Sequence, residues 1–182
     1  MHPKVYAAAA IILSKYAAFN LKEVEQIIGG LMYGFVQEDD LTNIELCLKD
    51  AQTVDEELTE AIQDFEKKDL KDLIKGVQEI GVVVKQLSTD LTDCEGIKAD
   101  VARIEKWAEI FTKPLVLVPT LVKNVIKNYK TIETDVSDIN TQLAIGTAVP
   151  WNVGRDIADI MIKTVGPVPA AAQPEDLEFT QW

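Results

Sequence analysis

Large apolar side chains recur at three- and four-residue steps along almost the whole chain. The first clear run lies between positions 20 and 36, and similar runs follow as far as position 165. Such steps place side chains on one face of an α-helix, whereas a half-buried strand would require strict alternation, which no segment shows. The sequence therefore predicts an all-α fold, a single compact bundle of six or seven amphipathic helices without a sheet.

Short polar residues mark the predicted helix starts. Asn20 and Glu23 have the spacing of a capping box, in which each side chain accepts a hydrogen bond from the backbone of the other. Asp39 and Asp40 can cap a second helix. The remaining helices are predicted to start at Thr53, Asp69, Ile97, Pro114 and Pro150. The helix that starts at Ile97 is predicted to end at Phe111, and a polar loop over 88–96 precedes it.

Glycines and one proline interrupt otherwise regular helical segments. Gly29, Gly30 and Gly34 lie inside the first predicted helix, where each costs roughly 1 kcal/mol relative to alanine. They either allow a close helix crossing or mark a break, and packing is the favoured reason. Pro119 removes a backbone donor from the segment that begins at Pro114, so we expect it to kink that helix or delay its start. The segment beyond it is predicted to be the longest helix.

The chain has the length of one domain, and its two ends differ from its middle. Its 182 residues, 47% of them hydrophobic, can bury one core. Residues 1–19 combine a basic start with an apolar stretch, as a secretory signal does, but Lys15 interrupts the pattern, and an N-terminal amphipathic helix is the alternative. We predict a helical domain over 20–166 and a mobile tail over 167–182, rich in proline, alanine and acidic residues.

The charge balance excludes several partners. With 30 acidic and 18 basic residues the formal net charge is -12, which repels phosphate backbones and anionic lipid headgroups. Nucleic acid is therefore not expected as a partner. Acidity keeps a domain soluble, and its other interpretations are weak calcium binding or a basic partner. No apolar stretch is long enough to span a bilayer.

The chain lacks the residues of common catalytic and cofactor sites. Its only histidine is His2, so a histidine-based triad is excluded. None of the serines, Ser14, Ser88 and Ser137, lies in a Gly-x-Ser-x-Gly turn, and no glycine-rich phosphate loop is present. The acidic clusters lie at or beside helix starts, where they complement the helix dipole. The sequence predicts no enzyme, cofactor or metal site.

Two cysteines and a set of apolar residues are the candidate site residues. Cys47 lies on the inward stripe of the second helix and Cys94 in the polar loop, which can fold back over that helix, so they form either a disulfide or two buried thiols. A bond would close a loop of nearly fifty residues, worth about 4 kcal/mol. A slot for an apolar molecule, with ordinary core packing as the alternative, would be lined by Trp107, Phe111, Leu115, Val118, Leu121, Tyr129 and Trp151.

Four motifs together resemble small secreted acidic helical proteins of ciliated protozoa. They are the run Gly29-Gly-Leu-Met-Tyr-Gly-Phe35, the run from Asp39 to Cys47, Thr92-Asp-Cys94, and Lys113-Pro114 ahead of a long helix. The resemblance covers 21–165. It implies a signal peptide and a disulfide, and it transfers no catalytic residue because that family has no assigned activity.

These observations predict a non-enzymatic, secreted interaction or structural protein. The expected partner is another protein or a second copy of the chain. The alternative function is a carrier of an apolar ligand or lipid in a cavity of the bundle, and the alternative location is the cytoplasm. An enzyme working through paired carboxylates is the third hypothesis.

Overall fold

Seven α-helices make up most of the computed structural model, which describes residues 19–145 and 149–170. They are α1 (Leu21–Val36), α2 (Leu41–Cys47), α3 (Ala51–Glu66), α4 (Leu70–Asp90), α5 (Lys98–Ala108), α6 (Pro114–Ile145) and α7 (Pro150–Val165). No strand occurs in the described ranges, and the buried side chains form one core. The predicted all-α bundle is confirmed. Residues 1–18 and 171–182, which include most of the predicted signal and tail, lie outside the described residues.

Helix α1 lies at the centre of the bundle. Nine of its 16 residues are buried, and it contacts α2, α3, α5 and α7. The predicted capping box is present: Asn20 Oδ1 accepts from the N–H of Glu23 at 2.8 Å, and Glu23 Oε1 accepts from the N–H of Asn20 at 3.1 Å. A helix with so much apolar surface must be enclosed by others.

Helices α1 and α7 cross at backbone contact. A Cβ atom added to Gly30 would lie 1.9 Å from the carbonyl oxygen of Trp151, and one added to Gly154 would lie 2.0 Å from the carbonyl oxygen of Ile27. A real side chain cannot approach a backbone so closely, so these two positions require glycine. The glycine of each helix makes room for the backbone of the other.

The other glycines of α1 face the same crossing. A Cβ on Gly29 would meet the indole of Trp151 at 2.8 Å, and a Cβ on Gly34 would lie 2.4 Å from the Cβ of Ala158. The helix continues unbroken through all of them. The prediction that these glycines serve packing rather than mark a break is confirmed.

Helix α3 begins earlier than the sequence suggested. Its first residue is Ala51 rather than Thr53, because the Asp50 carboxylate accepts from the backbone N–H of Thr53 at 3.1 Å and from its hydroxyl at 2.9 Å. Asp50 is thus the N-cap. Pattern analysis favoured Thr53 because a threonine followed three residues later by Glu56 imitates a capping box.

The fifth predicted helix, over 97–111, is divided into three pieces. A 3₁₀ turn at Glu95–Ile97 precedes α5, and a second 3₁₀ turn at Glu109–Thr112 follows it. The Thr112 hydroxyl donates to the carbonyl of Glu109 at 2.6 Å. Short 3₁₀ turns are common where an α-helix ends. The spacing of apolar residues does not distinguish them from α-helix.

Pro119 does not interrupt α6 as expected. The helix begins at Pro114 and continues through Pro119, and its non-helical residue is Asn128, with φ -107° and ψ 17°. The prediction of a kink or late start at Pro119 is therefore wrong. The carbonyl left without a donor belongs to Leu115, which is 91% exposed, so water can satisfy it. At 32 residues this is the longest helical element, as predicted, although the break at Asn128 divides it into two shorter helical parts.

A disulfide joins Cys47 at the end of α2 to Cys94 in the loop before α5. The two α-carbons are 6.0 Å apart, and the bond spans 47 positions of sequence. Of the two alternatives, a bond or two free thiols, the structure has the bond. Such bonds persist in oxidising compartments.

Replacing Gly30 by alanine should lower the free energy of unfolding by at least about 2 kcal/mol, because the new methyl collides with a backbone that moves only with α7. Urea denaturation followed by circular dichroism measures the loss. Gly81→Ala is the comparison: its Cβ would meet the Phe111 ring at 2.4 Å, and a ring can turn aside. Equal losses in the two variants would contradict the explanation given for Gly30.

Replacing both Cys47 and Cys94 by alanine should lower the free energy of unfolding by about 4 kcal/mol, the loop-entropy value for a closure of this length. Thermal melts of the oxidised chain with and without reductant should show the same direction of change. The reduced wild type and the double variant should melt together. A reductant that leaves the melting temperature unchanged would contradict a stabilising bond.

Candidate functional site

The seven side chains proposed to line an apolar slot lie in different surroundings. Trp107 and Phe111 are in contact, with ring centroids 5.7 Å apart. Trp151 packs on α1 instead, with its ring centroid 5.7 Å from that of Tyr33. Leu121 is buried in the core. The exposed members are Leu115, Val118 and Tyr129, which all lie on α6.

The most clearly apolar pocket of the core is too small for an apolar ligand. This pocket lies between α1, α4 and α5, and its free volume is about 10 Å³, roughly that of one water molecule. Its lining includes Leu31, Phe35, Val84 and Ile104. Ligand sites for drug-sized molecules need several hundred Å³. The carrier hypothesis stays a prediction.

An apolar stripe runs along the outside of α6. Leu115 and Ile126 are 91% and 63% exposed, although each is a large aliphatic residue. Steps of three and four residues align the stripe on one side of the helix, about a quarter turn from the side that enters the core. We call this stripe the outer face of α6; it consists of Leu115, Val118, Pro119, Val122, Ile126 and Tyr129.

Lysines border the outer face, and the helix segment that carries this face contains no acidic residue. Residues 113–130 contain four lysines and neither aspartate nor glutamate, although the whole chain has 30 acidic residues. Lys123, Lys127 and Lys130 are exposed and follow one edge of the stripe. A basic, apolar strip on a chain with net charge -12 attracts negative groups locally while the rest of the surface repels them.

An open depression interrupts the outer face where α6 leaves helical geometry at Asn128. It encloses about 380 Å³ and is lined by residues 126–131, which include Ile126, Tyr129 and Lys130. The Asn128 amide donates to the carbonyl of Lys163 at 3.0 Å, and the Tyr129 hydroxyl donates to a backbone carbonyl at 2.7 Å. These bonds hold the break in place. The depression offers an apolar floor beside ammonium groups.

A second, polar groove lies between α1, α6 and α7. It encloses about 500 Å³, and Gln142 donates across it to Asp156 at 3.1 Å. Burial, and then the nearby charge of Asp138, raise the pKa of Asp156 to about 6. The Arg155 guanidinium stacks over the Tyr33 ring, 5.2 Å from its centroid. The described residues contain no group of three potential metal ligands, so this groove lacks a metal-site geometry.

Carboxyl groups meet in pairs across helix contacts. Asp40, before α2, shares a hydrogen bond with Asp100 of α5; burial, then this bond, raise the pKa of Asp40 to about 7. Burial, then a bond to Asp64 of α3, raise the pKa of Glu79 on α4 to about 8. A neighbouring carboxylate makes ionisation of Asp40 and of Glu79 less favourable, and a protonated carboxyl group can donate to that neighbour.

A third pair joins α6 to α7. Burial, and then the hydrogen bond to Asp159, raise the pKa of Asp135 to about 7. Burial by itself would raise the pKa of Asp159, but hydrogen bonds from Asp135 and Lys163 lower it. The Lys163 ammonium lies 2.8 Å from Asp135 and 2.6 Å from Asp159. These carboxyl groups are engaged with each other and with Lys163.

Sequence analysis named part of the outer face and missed the rest. Leu115, Val118 and Tyr129 were candidates, but as lining of an internal slot. The sequence pattern does not single out Ile126 or the lysines as site residues. The available signal was the absence of acidic residues from 113–130 in a chain so rich in them.

A family model described as SctB-like, secreted protein B-like, matches residues 9–161. No curated protein and no solved structure matches the chain. The family match confirms the prediction of secretion and the resemblance to secreted proteins, and it carries no statement about ciliated protozoa. Within residues 19–145 and 149–170, no helix combines the length and apolarity needed to cross a bilayer.

Lowering the pH from 8 to 5 should raise the melting temperature. Asp40, Glu79 and Asp135 have folded pKa values of about 7, 8 and 7, above the unfolded values of roughly 4. A pKa raised by folding stabilises the native state below the unfolded pKa, and this stability is lost as pH rises through the folded pKa. Differential scanning calorimetry from pH 5 to 8 tests this.

The variant Asp40→Asn should flatten this pH dependence and melt higher than wild type at pH 8, since an amide can donate to Asp100 without a shared proton. Asp93→Asn is the control, because Asp93 is exposed and does not contribute to the raised pKa of Asp40, Glu79 or Asp135. A wild-type melting temperature that rises between pH 5 and 8 would contradict the carboxyl pairs.

Proposed function

Because the chain belongs to the SctB-like family of secreted proteins, we propose that it is a non-enzymatic interaction module which binds an acidic, apolar protein segment on the outer face of α6. The observation that carries the proposal is the coincidence of exposed aliphatic side chains and lysines on one stretch of one helix. Neither feature alone identifies a partner, but together they specify its chemistry.

Exposed apolar surface supplies the driving force. A contiguous apolar patch is unusual on a soluble monomer and commonly marks an interaction site. Leu115 and Ile126 together expose most of their surface to solvent, and covering apolar area stabilises a complex by roughly 25 cal/mol per Å². The packing of α6 in the bundle does not explain these residues, since its core side is already formed by Leu117, Leu121, Val125 and Ile132.

The lysines of the outer face favour a partner with negative charge. Lys123, Lys127 and Lys130 attract carboxylates, and this attraction mainly increases the association rate and specificity. Nucleic acid would meet the same lysines, but the other surfaces of a chain with net charge -12 would repel its long backbone. A short acidic protein segment can place its charges on the lysines alone.

The depression beside Asn128 gives the partner an anchor. Protein interfaces depend on a few large side chains inserted into pockets. The depression is open to solvent and encloses about 380 Å³, so an apolar side chain of the partner can lie in it against Ile126 and Tyr129. Carboxylates flanking such an anchor would reach Lys127 and Lys130.

The bonding of the carboxyl groups between α6 and α7 supports a role without catalysis. Asp135 and Asp159 are bonded to Lys163, and Asp156 accepts from Gln142. A carboxyl pair that acts as acid and base needs access to a substrate. Asp135 is buried between α6 and α7, whereas Asp156 and Asp159 also line the polar groove, where their oxygens are already bonded to Gln142 and Lys163.

A short dye-labelled peptide that alternates glutamate with leucine and phenylalanine should bind the chain, and the same peptide with lysine in place of glutamate should not. Fluorescence anisotropy measures both affinities. Binding should weaken several-fold between about 50 and 300 mM NaCl, because exposed charges are screened. Ile126→Asp should abolish it, since this change places a carboxylate in the depression.

Val82→Asp is the matched control for that substitution. Val82 is 51% exposed and lies on α4, outside the set of residues that defines the outer face, so its replacement should leave the peptide affinity unchanged. Equal binding by wild type and Ile126→Asp would show that the outer face of α6 is not the docking site.

A further inference from the structure

We propose that segment 171–182 of the same chain docks on the outer face of α6 and competes there with external partners. The inference rests on the proposed function of that face and adds its regulation. It concerns a segment outside the described residues, and its support comes from the chemistry of that segment, the place where the described chain ends, and the surface that it would cover.

The segment carries the chemistry that the outer face requires. Glu175, Asp176 and Glu178 alternate with the apolar residues Leu177 and Phe179. Carboxylates and large apolar side chains are thus interleaved within five positions. The carboxylates complement the lysines at the edge of the stripe, and the Phe179 ring has a size suited to the depression at Asn128. Trp182 adds a second aromatic side chain.

The described chain ends at a fixed point on the bundle. The carbonyl of Gly166 accepts from the Trp107 indole at 2.9 Å, Val168 is buried, and the carbonyl of Pro169 accepts from Arg103 Nε at 2.9 Å. Contacts with α5 therefore continue beyond the end of α7. The segment leaves the bundle from Ala170, beside α5.

The distance from this point to the outer face is within reach. The carbonyl of Thr164 lies 2.9 Å from the Asn124 amide of α6, so α7 ends against the helix that carries the stripe. From Thr164 to Ala170 the chain can span no more than roughly 20 Å, and residues 171–182 can extend by roughly 40 Å. The segment can therefore return to Ile126 without any change in the bundle.

Covalent attachment favours this occupant over others of the same chemistry. A tethered segment meets its site at an effective concentration of about 1 mM, so even a weak contact is populated. A second copy must overcome repulsion between two chains of net charge -12, and so must the chain at an anionic bilayer. The proposal therefore commits to the chain's own segment.

Carbodiimide cross-linking of the full oxidised chain tests the proposal directly, because it joins ammonium and carboxylate groups that are already in contact. After peptide mapping of the monomer, we expect links from Lys123, Lys127 or Lys130 to Glu175, Asp176 or Glu178. Ile126→Asp should reduce these links at least fivefold, and Val82→Asp should leave them unchanged. Monomer without such links would overturn the proposal. Links found only in a covalent dimer would assign the face to a second copy and overturn it equally.

Competition supplies a second measurement that does not depend on the Ile126 variant. The glutamate-containing peptide described above should bind a chain that ends at Ala170 about tenfold more tightly than the full chain, if the segment has an affinity of about 0.1 mM and an effective concentration of about 1 mM. Equal affinities would overturn the inference.

The two proposals fail separately. If the peptide binds both chains equally and Ile126→Asp abolishes that binding, the outer face is a docking site and the regulation by segment 171–182 is wrong. If the peptide binds neither chain, the proposed function fails. Vesicles containing phosphatidylserine serve as a further probe: binding of the chain ending at Ala170 to them, without binding to the peptide, would assign the face to a membrane and overturn both proposals.

Discussion

The backbone contact between α1 and α7 sets the position of α6, the helix that carries the outer face. Gly30 and Gly154 bring the two backbones together, and no other residue type fits at either position without moving a helix. Once α7 is fixed there, its final carbonyls meet the amides of Asn124 and Asn128 on α6. These bonds orient α6, so that one side of it enters the core and the adjacent side is left outside. The exposure of the outer face of α6 thus follows from the position of α7 against α1.

The sequence predicts the local features of this fold better than its surfaces. Helical periodicity, the capping box at Asn20 and the packing role of the α1 glycines follow from residue spacing, because neighbours in a helix are also neighbours in sequence. The true cap of α3 does not, since Asp50 and Thr53 were both chemically suitable. The position of the break in α6 depends on the contact of Asn128 with α7. The spacing of residues in the sequence carries no information about such a contact.

The candidate site was harder to predict for a related reason. Leu115 and Val118 have the spacing of core residues, and a stripe that faces a partner is identical in sequence to one that faces the core. Only three-dimensional packing separates Leu121, which is buried, from Leu115, which is not. The carboxyl pairs were likewise invisible, because Asp40 and Asp100 come together through tertiary contact. By contrast, the cysteine pair could be stated as one of two alternatives, since a chain with two cysteines has only one possible internal bond.

The bond between Cys47 and Cys94 also divides the chain into a closed ring and two free arms. Helices α3 and α4 lie inside the ring, whereas α1, α6 and α7 lie outside it. The turn between α3 and α4, which carries the exposed Lys67, lies within the ring. A single cut there opens the ring without releasing either part, and the cut ends stay held by the helix contacts on both sides. The bond therefore allows the main chain to be severed between α3 and α4 while the molecule remains one covalent unit.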